Sequence, residues 1–208
     1  MLAGVQGMSQ PAAVPACAEP QHVVERFIDA DCEACWAAPA QAPLPAGTWA
    51  LDWITPSASG AQAPLALAAL AEAETRRAAV SARQSLSPAR EAAWRLPARP
   101  TLRLAVQSGP AWNGYLGVQL ESSGSAPPGA VAYMALVEEL PAQAESNSIA
   151  RWLVRSVAGP VPLGAGPTRE LRALRVPEAG KPERLRGVAW WVDREERLRG
   201  IAAEVCPR

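Results

Sequence analysis

From residue 101 onward the chain alternates apolar and polar or small side chains with a period of two. Leu102, Leu104 and Val106 begin this pattern, and it resumes after Asn113-Gly114. Such alternation places apolar side chains on one face of a strand, and Asn-Gly favours a tight hairpin turn. Seven strands are predicted, at residues 102–106, 116–120, 131–138, 149–157, 169–176, 185–193 and 197–205. This number and spacing are typical of a two-sheet antiparallel sandwich.

The first half of the chain mixes strand and helix patterns. Short apolar runs that end at turn residues predict strands at 22–28 and 48–54. Residues 64–84 are rich in Ala, Leu, Glu and Arg, which are good helix formers, and predict a helix. Three prolines make residues 85–100 a connector, with a short helix expected at 89–94.

The change of pattern near residue 98 predicts the domain organisation. We expect a disordered tail or signal-peptide remnant at 1–19, a small lobe at 20–97 and the sandwich at 98–208. Charge divides in a similar way, because residues 1–60 carry one arginine against six acids.

Composition excludes several classes of function. The 208 residues carry 20 basic and 20 acidic side chains, so the chain lacks the basic footprint of a nucleic-acid-binding protein. No apolar run approaches the roughly 18 residues of a transmembrane helix. The single histidine, His22, argues against a multi-histidine metal site and leaves little basis for a hydrolase triad. We therefore predict no metal, no cofactor, no nucleic acid and no transmembrane segment.

Four cysteines suggest two disulfides and an oxidising compartment. Cys32 and Cys35 form a C-x-x-C, which normally closes on itself when oxidised. Cys17 and Cys206 are then each other's remaining partners, and we predict a structural disulfide between them. A four-cysteine zinc site is the alternative, but such sites normally have two C-x-x-C knuckles.

The N-terminal residues bear on localisation. Val14-Pro15-Ala16 fits the small-residue pattern before a signal-peptidase cleavage site, although no basic or long apolar region precedes it. A start codon placed downstream of the true one explains this, and we expect a periplasmic or secreted protein. The alternatives are a disordered tail on a cytosolic protein and, ranked below export, a lipoprotein acylated at Cys17.

The C-x-x-C is the one candidate for chemistry. It follows a strand directly and opens a helix, where unpaired N–H groups favour a thiolate. Cys32 is then the candidate attacking thiol and Cys35 the resolving thiol. Asp31 and Glu33 oppose thiolate formation by their charge. Asp52, on the second strand, is expected to be a surface carboxylate; the alternative is a buried proton-transfer group below the C-x-x-C.

The residues VVERFIDADCEACW, a second strand ending in LDWITPS, an alanine-rich helix and the later strands resemble the secreted bacterial thioredoxin-like proteins of unknown function. The resemblance covers most of residues 22–205, and its sharpest motif is carried by Cys32 and Cys35. It implies an α+β fold: a small thioredoxin-like lobe, which need not be complete, followed by a seven-strand antiparallel β-sandwich.

Three functions remain open at this point. The first is an extracytoplasmic thioredoxin-like protein without catalysis, in which the Cys32–Cys35 disulfide is structural. The second is a thiol–disulfide oxidoreductase of the cell envelope that exchanges the same disulfide. The third is an interaction module that binds a protein partner through the sandwich.

Overall fold

A computed structural model describes residues 19–38, 44–87 and 90–206. These residues are mostly β, with 48% strand and 14% helix. Two α-helices, α1 (Glu33–Ala37) and α2 (Ala71–Ser81), accompany ten strands in the described part of the chain. The strands are β1 (His22–Asp29), β2 (Thr48–Thr55), β3 (Glu91–Arg95), β4 (Leu102–Trp112), β5 (Tyr115–Gly124), β6 (Val131–Leu140), β7 (Arg151–Pro162), β8 (Thr168–Arg175), β9 (Leu185–Val192) and β10 (Leu198–Ala203).

The strands form two sheets. The large sheet has seven strands in the order β10-β9-β6-β7-β2-β1-β3, and the small sheet has three in the order β4-β5-β8. β2 runs parallel to both β1 and β7, whereas the other pairs are antiparallel. The predicted limit after residue 97 falls between β3 and β4, yet strands from both sides of it share the large sheet.

The predicted fold class is wrong. Strands form at all seven predicted places, but β6, β7, β9 and β10 join the large sheet and only β4, β5 and β8 form the small one. The expected thioredoxin-like lobe does not form, because α1 has five residues and β3 pairs antiparallel with β1. Which strands pair depends on how both faces of the sheet become buried. The alternation of apolar residues within one strand does not indicate which distant strand lies beside it.

Two local predictions also differ from the structure. The short helix expected at 89–94 is wrong, because residues 91–95 form strand β3 with Ala92 and Trp94 buried. The helix expected at 64–84 is confined to Ala71–Ser81 and is preceded by two short 3-10 helices, Gly60–Gln62 and Ala66–Ala68.

The Asn-Gly signal did identify a hairpin turn. Asn113 and Gly114 connect β4 to β5 with φ values of 48° and 78°. A tight hairpin turn of type I′ needs positive φ at both central residues, which Asn and Gly tolerate best.

The large sheet is buried on both faces. One face curls around α2, so that Phe27, Trp53 and Trp190 pack with Val80, and the edge strands β3 and β10 approach one another. On the other face of the large sheet, β6 and β9 pack on the small sheet through Val118, Met134 and Trp191. On that same face, β1 and β2 lie under α1, where Ile28, Ile54 and Trp36 are in contact. Full burial of each large side chain contributes about 1.5–3 kcal/mol.

Candidate functional site

Cys32 and Cys35 form a disulfide at the end of β1. Their Cα atoms are 5.2 Å apart, within the usual range for a disulfide. The Cys32 amide donates to the carbonyl oxygen of Asp29 at 2.9 Å, and the Cys35 amide donates to Cys32 Sγ at 3.2 Å. Cys32 is partly buried, whereas Cys35 is exposed. The motif therefore caps α1, and its second cysteine is the more exposed one.

Helix α1 is fixed by hydrogen bonds and a ring contact to the loop between β6 and β7 and to the start of β7. The buried Trp36 donates through Nε1 to the carbonyl oxygen of Glu145 at 2.9 Å, and Ser148 Oγ donates to the carbonyl oxygen of Ala37 at 2.9 Å. Arg151 donates to the carbonyl oxygen of Trp36 at 2.6 Å, and its guanidinium carbon lies 4.6 Å from the Trp36 ring centroid. The disulfide thus belongs to a segment with several fixed contacts.

Beneath α1, Arg151 joins a buried group of charges. Asp52 is fully buried, and its Oδ1 accepts from both Arg26 and Arg151 at 3.3 Å. Asp52 Oδ2 has no hydrogen-bond partner among the described residues. Arg26 also lies 3.4 Å from a carboxylate oxygen of Glu91. The expectation that Asp52 is a surface carboxylate is wrong, because α1 and the 3-10 segment cover the sheet face that it occupies.

Burial governs the electrostatics of this group. Desolvation raises the pKa of Asp52, and the positive charges of Arg26 and Arg151 oppose that rise. Desolvation likewise lowers the pKa of Arg151, against the attraction of Asp52. Each charge is tolerated because the other is present, so the group is suited to fixing β1, β2, β7 and α1 together.

A second buried ion pair lies on the opposite face of the large sheet. Glu25 accepts two hydrogen bonds from Arg76 of α2, at 2.9 and 2.8 Å, and one from Trp94 Nε1 at 2.7 Å. Arg76 also contacts the carbonyl oxygen of Glu196 at 3.2 Å. Sequence reasoning missed both charged groups. The available signal was Glu25-Arg26, two adjacent charges inside the apolar run VVERF.

Cys206 is also engaged in a disulfide. Its predicted partner, Cys17, lies outside the described residues. The Cys17–Cys206 pairing therefore stays a prediction, as do the expectations for residues 1–18.

The outward face of the small sheet is exposed and aromatic. Trp112 pairs with Tyr115, which pairs with Arg175, so these three residues form one row across the sheet. Trp112 is 83% exposed, Tyr115 47% and Leu171 63%. We define the interaction face as the outward residues Arg103, Trp112, Tyr115, Gly117, Glu121, Arg169, Leu171 and Arg175.

Comparisons with known proteins found no relative. No family model, no curated protein and no solved structure matches the chain. The family that the C-x-x-C motif resembles is therefore not identified by them. Within the described residues, no group of three or more His, Cys, Asp or Glu side chains is placed to hold a metal ion. No helix in that part of the chain is long and apolar enough to cross a membrane.

Proposed function

We propose that the protein is a non-catalytic module of an oxidising, extracytoplasmic compartment that binds a protein partner through the interaction face. The observation that carries the proposal is the position of Trp112, which is 83% exposed at the end of a well-paired hairpin. A large aromatic side chain in contact with water on a rigid sheet costs hydration free energy that a partner would recover.

The composition of the face indicates the kind of partner. Trp, Tyr and Arg are the residues that most often dominate binding energy at protein interfaces. Arg103, Arg169 and Arg175 provide three positive charges on this face, of which Arg169 is paired with Glu121 at 3.4 Å and Arg175 with Glu178, just beyond β8, at 3.0 Å. A partner that presents acidic side chains around an apolar strip complements this arrangement in both charge and hydrophobicity.

The structural role of the Cys32–Cys35 disulfide rests on the contacts of α1. Trp36, Ala37 and the guanidinium of Arg151 fix the helix to β7 and the loop before it. Asp31 and Glu33 flank the first cysteine, and their negative charges oppose the thiolate that exchange requires. Two disulfides support an oxidising compartment.

Thiol–disulfide exchange is the second candidate, favoured by the exposure of Cys35. The reduction potential of the Cys32–Cys35 pair decides between the two roles. A potential below about −300 mV is expected for a structural disulfide, whereas exchange proteins have potentials of about −120 to −230 mV. A value in the second range would overturn the structural role and support the oxidoreductase.

Site-specific photo-crosslinking in the native compartment tests partner binding. A crosslinking residue replaces Leu171, which is exposed on the interaction face, in one version of the full chain, so that Trp112 stays in place, and it replaces Arg83, an exposed residue just after α2, in the control. We expect position 171 to trap a protein that position 83 does not. The captured protein is then identified, purified and titrated against wild type and Trp112→Ala.

The proposal requires that Trp112→Ala weaken binding of the purified partner by about tenfold or more, the loss of a hot-spot side chain. Equal crosslinking at the two positions, or equal affinity of wild type and Trp112→Ala, would overturn it. Sedimentation with anionic vesicles tests whether the interaction face binds a membrane surface instead of a protein. Trp112-dependent binding to vesicles would also count against a protein partner.

A further inference from the structure

A cleft at the ends of β2, β6 and β7 is separate from both the disulfide and the interaction face. It encloses about 530 Å³, within the range of about 300–1,000 Å³ that is usual for small-molecule sites. We call it the arginine cleft, because Arg26, Arg151, Arg184 and Arg186 all line it.

The charges around the arginine cleft are unevenly placed. Glu139 is the one carboxylate among its described lining residues, and it lies 3.6 Å from Arg186. The other carboxylates that balance the arginines lie outside the lining. Asp52 is shared by Arg26 and Arg151, Glu91 contacts Arg26, and the exposed Glu145 contacts Arg184. The described lining itself therefore presents four guanidinium groups and one carboxylate to a ligand, and each guanidinium keeps at least one ion-pair partner.

Residues of the same lining carry buried polar atoms that lack a hydrogen-bond partner within the described residues. These are Thr48 Oγ1, Arg151 Nε, Trp152 Nε1 and Arg186 Nε. All four are able to donate a hydrogen bond, and three are donors only. Buried polar groups in folded proteins are normally paired, so a concentration of unpaired donors points to an acceptor-rich ligand.

The remaining walls of the cleft are apolar. Trp49 and Trp152 have ring centroids 5.9 Å apart, and Leu44 and Leu140 lie alongside them in the lining. We propose that the arginine cleft binds a small ligand consisting of an oxyanion, carboxylate or phosphate, on a compact apolar body. The oxyanion pairs with the guanidinium groups, which match its geometry, and the apolar body packs on the tryptophans.

Titration of the full-length protein with three probes tests this site. Benzoate and phenyl phosphate carry the two oxyanions on the same ring, and benzyl alcohol is the neutral control. Binding is followed by calorimetry and by tryptophan fluorescence, to which Trp49 and Trp152 contribute among the eight tryptophans of the chain. The variants are Arg184→Gln and Arg186→Gln, both only partly buried, with Arg169→Gln on the interaction face as the matched control.

We expect saturable binding of benzoate, of phenyl phosphate or of both, and the preferred probe identifies the oxyanion. Benzyl alcohol should bind at least about tenfold more weakly, and Arg184→Gln or Arg186→Gln should reduce affinity by about tenfold, the loss of one charged hydrogen bond. Arg169→Gln should bind like wild type. Absence of saturation with both anions, equal binding of benzyl alcohol, or equal loss in Arg169→Gln would overturn the proposal. Trp112→Ala should bind the preferred probe with the affinity of wild type. A result that overturns partner binding by the interaction face is therefore distinguishable from one that overturns ligand binding by the arginine cleft.

Discussion

Arg76 of α2 and Glu25 of β1 form a buried ion pair in which both carboxylate oxygens accept from the guanidinium, at 2.9 and 2.8 Å. Trp94 of β3 donates a third hydrogen bond to the same carboxylate. The desolvated carboxylate is thereby fully paired, and the pair joins the one long helix of the described chain to two strands of the large sheet. This contact fixes α2 within the curl of the sheet.

Replacement of one partner should therefore be costly. Arg76→Met leaves the Glu25 carboxylate buried and without its charge partner, and we expect the free energy of unfolding to fall by about 3–5 kcal/mol. Arg77→Met, which removes the more exposed pair with Glu74, should cost less than about 1 kcal/mol. Urea denaturation measures both values. Similar losses in the two variants would contradict a special role for Arg76.

How much of this fold the sequence predicts depends on the range of the interactions involved. Alternating and short apolar runs bounded by turn residues predict strands at the places of β4 to β10 and of β1 and β2, because those signals are local. Alanines favour helix at residues 91–95, whereas pairing of β3 with β1 and burial of Ala92 and Trp94 in the core favour the strand that forms. The pairing of β2 with β7, across about a hundred residues, has no local signature.

The candidate site divides in the same way. Cys32 and Cys35 were identified from spacing alone, since a C-x-x-C can close on itself without other elements. The burial of Asp52 was not foreseen, because it depends on α1 and on Arg151, which the chain supplies 99 residues later. The arginine cleft is likewise assembled from β1, β2, β6, β7 and β9, so no single segment reveals it.

The anchoring of α1 predicts how the disulfide responds to loss of the neighbouring Trp36 side chain. Trp36→Ala removes the buried ring, its hydrogen bond to Glu145 and the surface on which Arg151 stacks. We expect the free energy of unfolding to fall by about 3–5 kcal/mol and dithiothreitol to reduce the Cys32–Cys35 disulfide faster. Trp112→Ala removes the same side chain from an exposed position and should change stability by less than about 0.5 kcal/mol. Unchanged reduction kinetics in Trp36→Ala would show that α1 does not shield the disulfide.

A carboxylate next to the motif predicts a pH dependence. Asp29 accepts from Thr55 Oγ1 at 2.8 Å and contacts Arg90. Burial acts to raise the pKa of Asp29, but the hydrogen bonds from Thr55 and Arg90 and the positive charge of Arg90 outweigh it and hold this pKa below its usual 3.8. The stabilisation is therefore present above about pH 4 and is lost as the pH falls further.

Asp29→Asn should be less stable than wild type at pH 7, and the difference should vanish in acid. Because Asp29 and Arg90 are partly exposed, we expect no more than about 1 kcal/mol. Thermal melting between pH 2 and pH 7 measures the effect, with Asp31→Asn as the exposed control. A constant difference between Asp29→Asn and wild type over this range would contradict the assignment.

The second disulfide should contribute more to stability than the C-x-x-C. Cys206 is disulfide-bonded, and we predict Cys17 as its partner. That bond closes a loop of nearly the whole chain, for which loop entropy gives about 5 kcal/mol, whereas the four-residue loop of Cys32–Cys35 gives about 2 kcal/mol. Cys206→Ser should therefore lower the melting temperature by about 10 °C or more, and Cys35→Ser by roughly half that or less. A peptide map of the oxidised protein tests the pairing directly. Joining of Cys206 to any cysteine other than Cys17, or a larger loss in Cys35→Ser, would contradict the prediction.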